Sequence, residues 1–246
     1  MNFRSLWVIC SLIILSQTLS AQQLNKTQRE YFILGTLSDY MGRSLNPREK
    51  NLLDSYYAYE GPLVTILDSL LKIEYSASDY ASEKSFRSNG RLSRFKISSD
   101  IISSKLNSYY KFKPSGSFTM EYDTIYRGTL KDDIFKTDAE KLAFLTGVYV
   151  RFGMHNDTAY EISIANSISK ALVCYHLLKE FNCKPTYSIW QNYIPVGHHI
   201  YFHPSEELKA YLLQFMYARE RLQNSLKTFS QGMLSDTGKT KSIKKG

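Results

Sequence analysis

The sequence predicts an α+β fold, predominantly helical with a small antiparallel sheet. A helical hairpin is followed by a β-hairpin and a C-terminal helix. Three observations lead there. Two Thr-x-x-Glu capping boxes, at Thr137–Glu140 and Thr158–Glu161, each precede an apolar stripe of helical period. The period changes after Asn182, where Tyr187, Ile189 and Trp190 and then His198 to His203 read as extended. Pro204-Ser205-Glu206-Glu207 then opens a last helix, with a serine cap and two acids at its positive end.

The elements before these follow the same rules. Residues 24–40 carry Tyr31, Leu34 and Leu37 at helical spacing, with Gly42 as the stop. Asn46-Pro47-Arg48-Glu49 reads as a helix start, with Leu52, Leu53, Tyr56 and Tyr57 as its buried stripe. A third helix is expected over 63–73. Residues 76–116 are serine-rich and irregular, and Asn89-Gly90 suits either a hairpin turn between Phe86 and Leu92–Ile97 or a long mobile loop. Arg87, Arg91, Arg94 and Lys96 make that stretch locally basic, either as a solvated loop face or as an anion-binding rim. Phe118, Met120 and Tyr122 alternate as a strand that continues to Tyr126. Leu142, Leu145, Val148, Tyr149 and Phe152 stripe one long helix, and Ile162, Ala165, Ile168, Leu172, Tyr175 and Leu178 the next. These two form the expected helical hairpin, joined by residues 154–157. Each half has helices, then a hairpin, then a helix, but the residues do not align as a repeat of fixed period.

Four segments follow. Residues 1–21 read as a signal peptide: Arg4, an apolar run over 6–15 broken by Ser11, then small and polar residues. That run is short for a bilayer span, which takes about 20 apolar residues. Residues 22–116 form a helical N-terminal region with the basic Ser-rich loop. Residues 117–232 form an α+β C-terminal region, in one compact unit with the first. Residues 233–246 form a disordered basic tail. The chain has a net charge of +8. Setting aside Arg4, Lys239, Lys241, Lys244 and Lys245 leaves 26 basic residues against 23 acidic. This is an ordinary balance that gives no reason to expect a nucleic-acid partner.

Chemistry is sparse. Cys174 and Cys183 are an even pair in an exported chain, and they bond only if the helix stops early and the chain reverses at Asn182. His198, His199 and His203 fall within six residues, but Pro195, Gly197 and Pro204 leave no room for a helix. On a strand, His199 and His203 stand roughly 13 Å apart and cannot share a metal. His198 points the other way, to the core side. Ser167–Lys170 matches Ser-x-x-Lys in the middle of an apolar helix, a pattern common by chance. No HExxH, GxSxG or GxxxxGK occurs. The reading is a periplasmic or secreted non-catalytic protein that binds a protein or glycan partner or contributes to the cell envelope. It needs no cofactor and no metal, and the Lys-rich tail makes weak contact with anionic surfaces. The alternative is an exported hydrolase or metal-assisted enzyme using His155, Asp157 and His198 or His199.

Overall fold

The computed structural model describes residues 24–156, 159–192 and 194–242, the last eleven of them by backbone alone. The expected signal peptide lies outside these residues. The α+β class holds: seven helices and three small antiparallel sheets occur among the described residues.

Helix α1 (Lys26–Thr36) starts at a reciprocal Asn25/Gln28 capping box. Strand β1 (Arg43–Leu45), a 3-10 turn (Pro47–Glu49) and β2 (Leu52–Tyr57) follow. A second 3-10 turn (Ala58–Glu60) leads into α2 (Gly61–Glu74). The hairpin β3 (Ala81–Phe86) and β4 (Leu92–Ser98) then leads to α3 (Asp100–Asn107). Next come a second hairpin, β5 (Tyr110–Phe118) and β6 (Thr124–Leu130), and α4 (Asp138–Phe152) behind its Thr137/Glu140 box. The chain continues through β7 (Gly153–His155), β8 (Tyr160–Ala165), α5 (Ile168–Glu180), β9 (Thr186–Trp190) and β10 (Gly197–Phe202). It ends in α6 (Glu206–Gln214) and α7 (Met216–Ser242), which carries helical backbone into the segment read as a tail.

Three elements differ from the sequence expectation. The run read as one strand from Phe118 to Tyr126 is the end of β5, a turn over residues 119–123 with Tyr122 at φ 65°, and the start of β6. The helical hairpin is interrupted, because β7 and β8 lie between α4 and α5. Glu161, Ile162, Ser163 and Ile164 alternate with period two, with Ile162 and Ile164 buried and Glu161, Ser163 and Ala165 half-buried or exposed. That alternation pairs with β10 along its whole length, so cross-strand pairing overrides the capping-box signal. Likewise Asn46 caps only a 3-10 turn, and Leu52–Tyr57 is a strand paired to β4 across a bulge. The Asn89-Gly90 hairpin forms as expected, with Gly90 at φ 76°. The disulfide is not made: Cys174 and Cys183 are both free and buried. Lying wholly in the core, the Cys174 thiol is pushed up to about 12.

The elements repeat even though the residues do not. α1–β1–β2–α2–β3–β4–α3 and α4–β7–β8–α5–β9–β10–α6 have the same order. Their sheets also share strand order: β2–β4–β3 matches β8–β10–β9 within β7–β8–β10–β9. The hairpin β5–β6 is an insertion between the halves, and it takes β1 as its third strand. The leading helices α1 and α4 pack side by side at the centre. Glycine permits that approach. A Cβ on Gly147 would stand 2.0 Å from the Phe32 carbonyl oxygen, and one on Gly35 would stand 2.3 Å from that of Phe144.

Candidate functional site

Both central helices end in buried charge. The last carbonyls of a helix have no partners within it and carry about half a negative charge. Lys170 of α5, 0% exposed, donates to the carbonyls of Gly35 (3.2 Å) and Leu37 (2.5 Å) at the end of α1, and lies 3.5 Å from Asp39. Arg151 donates from Nη1 to the Thr36 carbonyl and to Asp54, both at 2.6 Å. Its Nε and Nη2 grip the two oxygens of Glu60 at 2.8 and 3.1 Å. Arg219 of α7 does the same for α4, donating from Nη1 to the carbonyls of Val150 and Arg151.

Burial works against the charge on Arg151, but Asp54 and Glu60 outweigh it and hold the guanidinium above its ordinary value. Burial pulls the Lys170 ammonium down and pushes the Asp39 carboxyl up, with each partner opposing the other's shift. Asp39 also accepts from the Tyr110 hydroxyl at 3.1 Å. Asp39, Asp54 and Glu60 are therefore each spoken for by a cation. This network closes the helix ends, and it leaves none of those three acids unpaired for acid–base work.

The histidines do not meet. His198 faces inward, 2% exposed, and shares a 2.7 Å hydrogen bond with the Tyr187 hydroxyl. Burial draws its pKa below the ordinary 6.5, and neighbouring His199 adds to that. His199 points to the opposite face of the sheet and is also buried, 7% exposed; its Nδ1 lies 2.7 Å from Glu161 and its ring stacks on Trp190 at 3.8 Å. His155 bonds the Tyr149 hydroxyl at 3.0 Å. The register sets His155 opposite Tyr160 and His199 opposite Ser163. The two are two strands and three residues apart, on the order of 14 Å. Asp157 lies outside the described residues. His203 follows the strand and is exposed. No group of three or more His, Cys, Asp or Glu that could hold a metal ion occurs among the described residues. The hydrolase arrangement built on His155, Asp157, His198 and His199 is therefore withdrawn. Lys170 of the Ser-x-x-Lys match is spent on main-chain carbonyls.

The remaining concentration of function-capable groups is on the outside. Residues 81–131, which make the β3–β4 hairpin, α3 and the inserted β5–β6 hairpin, hold ten Lys and Arg against four Asp and Glu, a net of +6. On the inserted sheet, register sets Lys113 beside Arg127 and Ser44 in one row, and Lys111 beside Thr129 in the next. Lys111, Lys113 and Arg127 have no ion pair among the described residues. On the neighbouring sheet, Tyr57 and Ser55 of β2 oppose Arg94 and Lys96 of β4. The Arg94 guanidinium sits over the Tyr57 ring at 5.6 Å. The 3-10 turn at Pro47–Glu49 joins the two surfaces, since Glu49 binds Lys96 at 3.0 Å and Arg48 binds Asp123 of the β5–β6 turn at 2.5 Å. Sequence reasoning flagged Arg94 and Lys96 but missed Lys111, Lys113 and Arg127. Their signal was alternation: Lys111 and Lys113 flank Phe112 in strand period.

No family model matches the sequence, and no curated protein matches it. Solved structures do. I-DmoI in complex with DNA and Mn is 13% identical, with a TM-score of 0.46, over 79% of this chain and 97% of that one. The N-terminal LAGLIDADG domain of DUF199/WhiA is 12% identical at 0.47, over 80% and 89%. Full-length DUF199/WhiA from Thermatoga maritima is 12% identical at 0.48, over 93% and 72%. These neighbours run against the exported envelope protein, the periplasmic or secreted location and the absence of a nucleic-acid partner expected from sequence, and those three readings are withdrawn. Likeness at this level assigns no function in their place, so the function is argued from this chain's own residues.

Proposed function

We propose that this chain binds nucleic acid, gripping phosphates with the basic surface of β3–β4 and β5–β6, and does not hydrolyse it. The carrying observation is the segregation of charge. A net of +6 sits in the 51 residues 81–131, and Lys111, Lys113 and Arg127 stand on adjacent rows of one sheet with no carboxylate within 4.0 Å among the described residues, Asp132 and Asp133 lining the same depression as the two lysines just past the end of β6. Cations arrayed on a folded face are what a phosphate backbone selects, and paired strands are an element that fits a duplex groove. Arg94 over Tyr57, with the exposed rings of Phe86, Phe118 and Tyr122 nearby in the same hairpins, adds surfaces on which bases can stack. The reading is non-hydrolytic because Asp39, Asp54 and Glu60 at the helix ends are already held by Lys170 and Arg151.

The test is fluorescence anisotropy with a labelled duplex and its single strand, comparing the full chain with a variant carrying Lys111→Ala, Lys113→Ala and Arg127→Ala. Three lost phosphate contacts should weaken duplex binding about tenfold or more at low salt. An unchanged affinity, or no binding by the parent chain at low salt, overturns the proposal. So does nicking of the duplex when magnesium or manganese is added.

A further inference from the structure

Arg219 is a buried cation whose charge the rest of the molecule leaves only partly answered. It is 5% exposed. Its Nη1 donates to the carbonyls of Val150 and Arg151 at 3.1 and 3.2 Å, while its Nε has no hydrogen-bond partner. No carboxylate among the described residues lies within 4.0 Å of its nitrogens. The helix end supplies only about half an elementary charge. The other buried cations nearby are better served. Arg151 has Asp54 and Glu60, Lys170 has Asp39, and Arg43 donates from all three of its nitrogens, to Asn107, Leu53 and Leu52. The charged or ionisable side chains felt most by Arg219 are the phenols of Tyr149 and Tyr59, and burial still pulls its guanidinium below the ordinary value.

This guanidinium lines a cavity of about 260 Å³ at the foot of the helix pair. Tyr57, Tyr59 and Phe152 form flat walls, Ser163 contributes a hydroxyl, and Leu226 of α7 stands at the rim, 38% exposed. Asp39, Glu60 and Arg151 also line it, the two carboxylates already ion-paired with Lys170 and Arg151, so that Arg219 is the lining charge left without a counter-ion among the described residues. The Tyr57 and Tyr59 rings stack 5.4 Å apart and nearly parallel, at 8°. A dry cavity of about 150 Å³ admits benzene, so this one has room for a ring and one charged group.

We infer that this cavity binds a small organic anion, a carboxylate on a flat apolar body, with Arg219 answering the charge and the aromatic walls covering the ring. A guanidinium prefers a planar oxyanion, which it can meet with two parallel hydrogen bonds. A buried cation lacking a counter-ion is costly, and a ligand anion supplies one.

Thermal unfolding of the full chain tests this, with sodium benzoate compared against sodium chloride and inorganic phosphate at matched ionic strength. Benzoate at roughly tenfold above its Kd should raise the midpoint by about 3–6 °C, where chloride does not. Arg219→Met should abolish that rise. Because it also uncaps α4 and can unfold the chain, Leu226→Trp provides a second variant, which narrows the cavity from its exposed rim. It should keep the parent midpoint without ligand and lose the benzoate response. A benzoate effect no larger than that of chloride, or one that survives in Leu226→Trp, overturns the proposal. A rise with phosphate equal to that with benzoate overturns the flat apolar body.

Discussion

Arg151 sits in a helix of apolar pattern and is 7% exposed, and its charge is matched by two acids from a different part of the chain. Removing it would strand Asp54 and Glu60 in the interior. Arg151→Met should therefore cost about 3–5 kcal/mol in urea unfolding, the range for breaking one side of a buried pair. A loss below about 1 kcal/mol would show that water reaches those acids. At the surface end of α2, the hydrogen bond from Arg29 holds Glu74 below the ordinary 4.5. A carboxylate lowered by folding adds stability that is complete above its unfolded value and lost as pH falls through the folded one. Glu74→Gln should thus be less stable than the parent at neutral pH, and the difference should shrink as pH drops below 4.5. A difference constant across that range would rule out this linkage. The buried cation pairings were not legible in the sequence. Lys170 read only as the Lys of a chance Ser-x-x-Lys match, nothing singled out Arg151, and their partners lie more than 90 residues away.

The elements show where local signals suffice and where they fail. The Thr137/Glu140 box and the stripe behind it gave α4 correctly, because the helix buries that stripe against α1. The box at Thr158–Glu161 misled, because the Ile162/Ile164 alternation that decides β8 is satisfied by pairing to β7 and, along its whole length, to β10, some 38 residues on in the Glu161–His199 contact. β2 failed for the same reason, being fixed by pairing to β4 rather than by its own composition. The extended reading of the histidine segment held, since period two and its flanking prolines left no alternative. The helix crossing depends on Gly147, where a methyl group would meet the Phe32 backbone at 2.0 Å. Backbone cannot yield as a flexible side chain can. Gly147→Ala should therefore cost about 3 kcal/mol, despite the usual gain from alanine in a helix. Chemical denaturation checks it, and a stabilised variant would mean that the helices separate readily.

At the scale of the molecule, the duplication organises everything else. Two copies of one helix–strand pattern meet at α1 and α4, and the first copy together with the β5–β6 hairpin inserted between them carries the basic surface. The sequence shows the charge but not its arrangement. Residues 76–116 read as serine-rich with a basic run at Arg87, Arg91, Arg94 and Lys96, while the rows that align Lys113 with Arg127 exist only once β5 and β6 pair. The repeat was invisible because only the order of elements and the strand order recur, not the residues.

The central claim is that this surface binds phosphate backbones by charge, and its most direct test is the salt dependence of duplex affinity. The logarithm of the association constant should fall linearly with the logarithm of salt concentration. The slope should be shallower by about 0.9 for each of Lys111, Lys113 and Arg127 replaced by alanine. A duplex affinity independent of salt, or a slope the three substitutions leave unchanged, would contradict it.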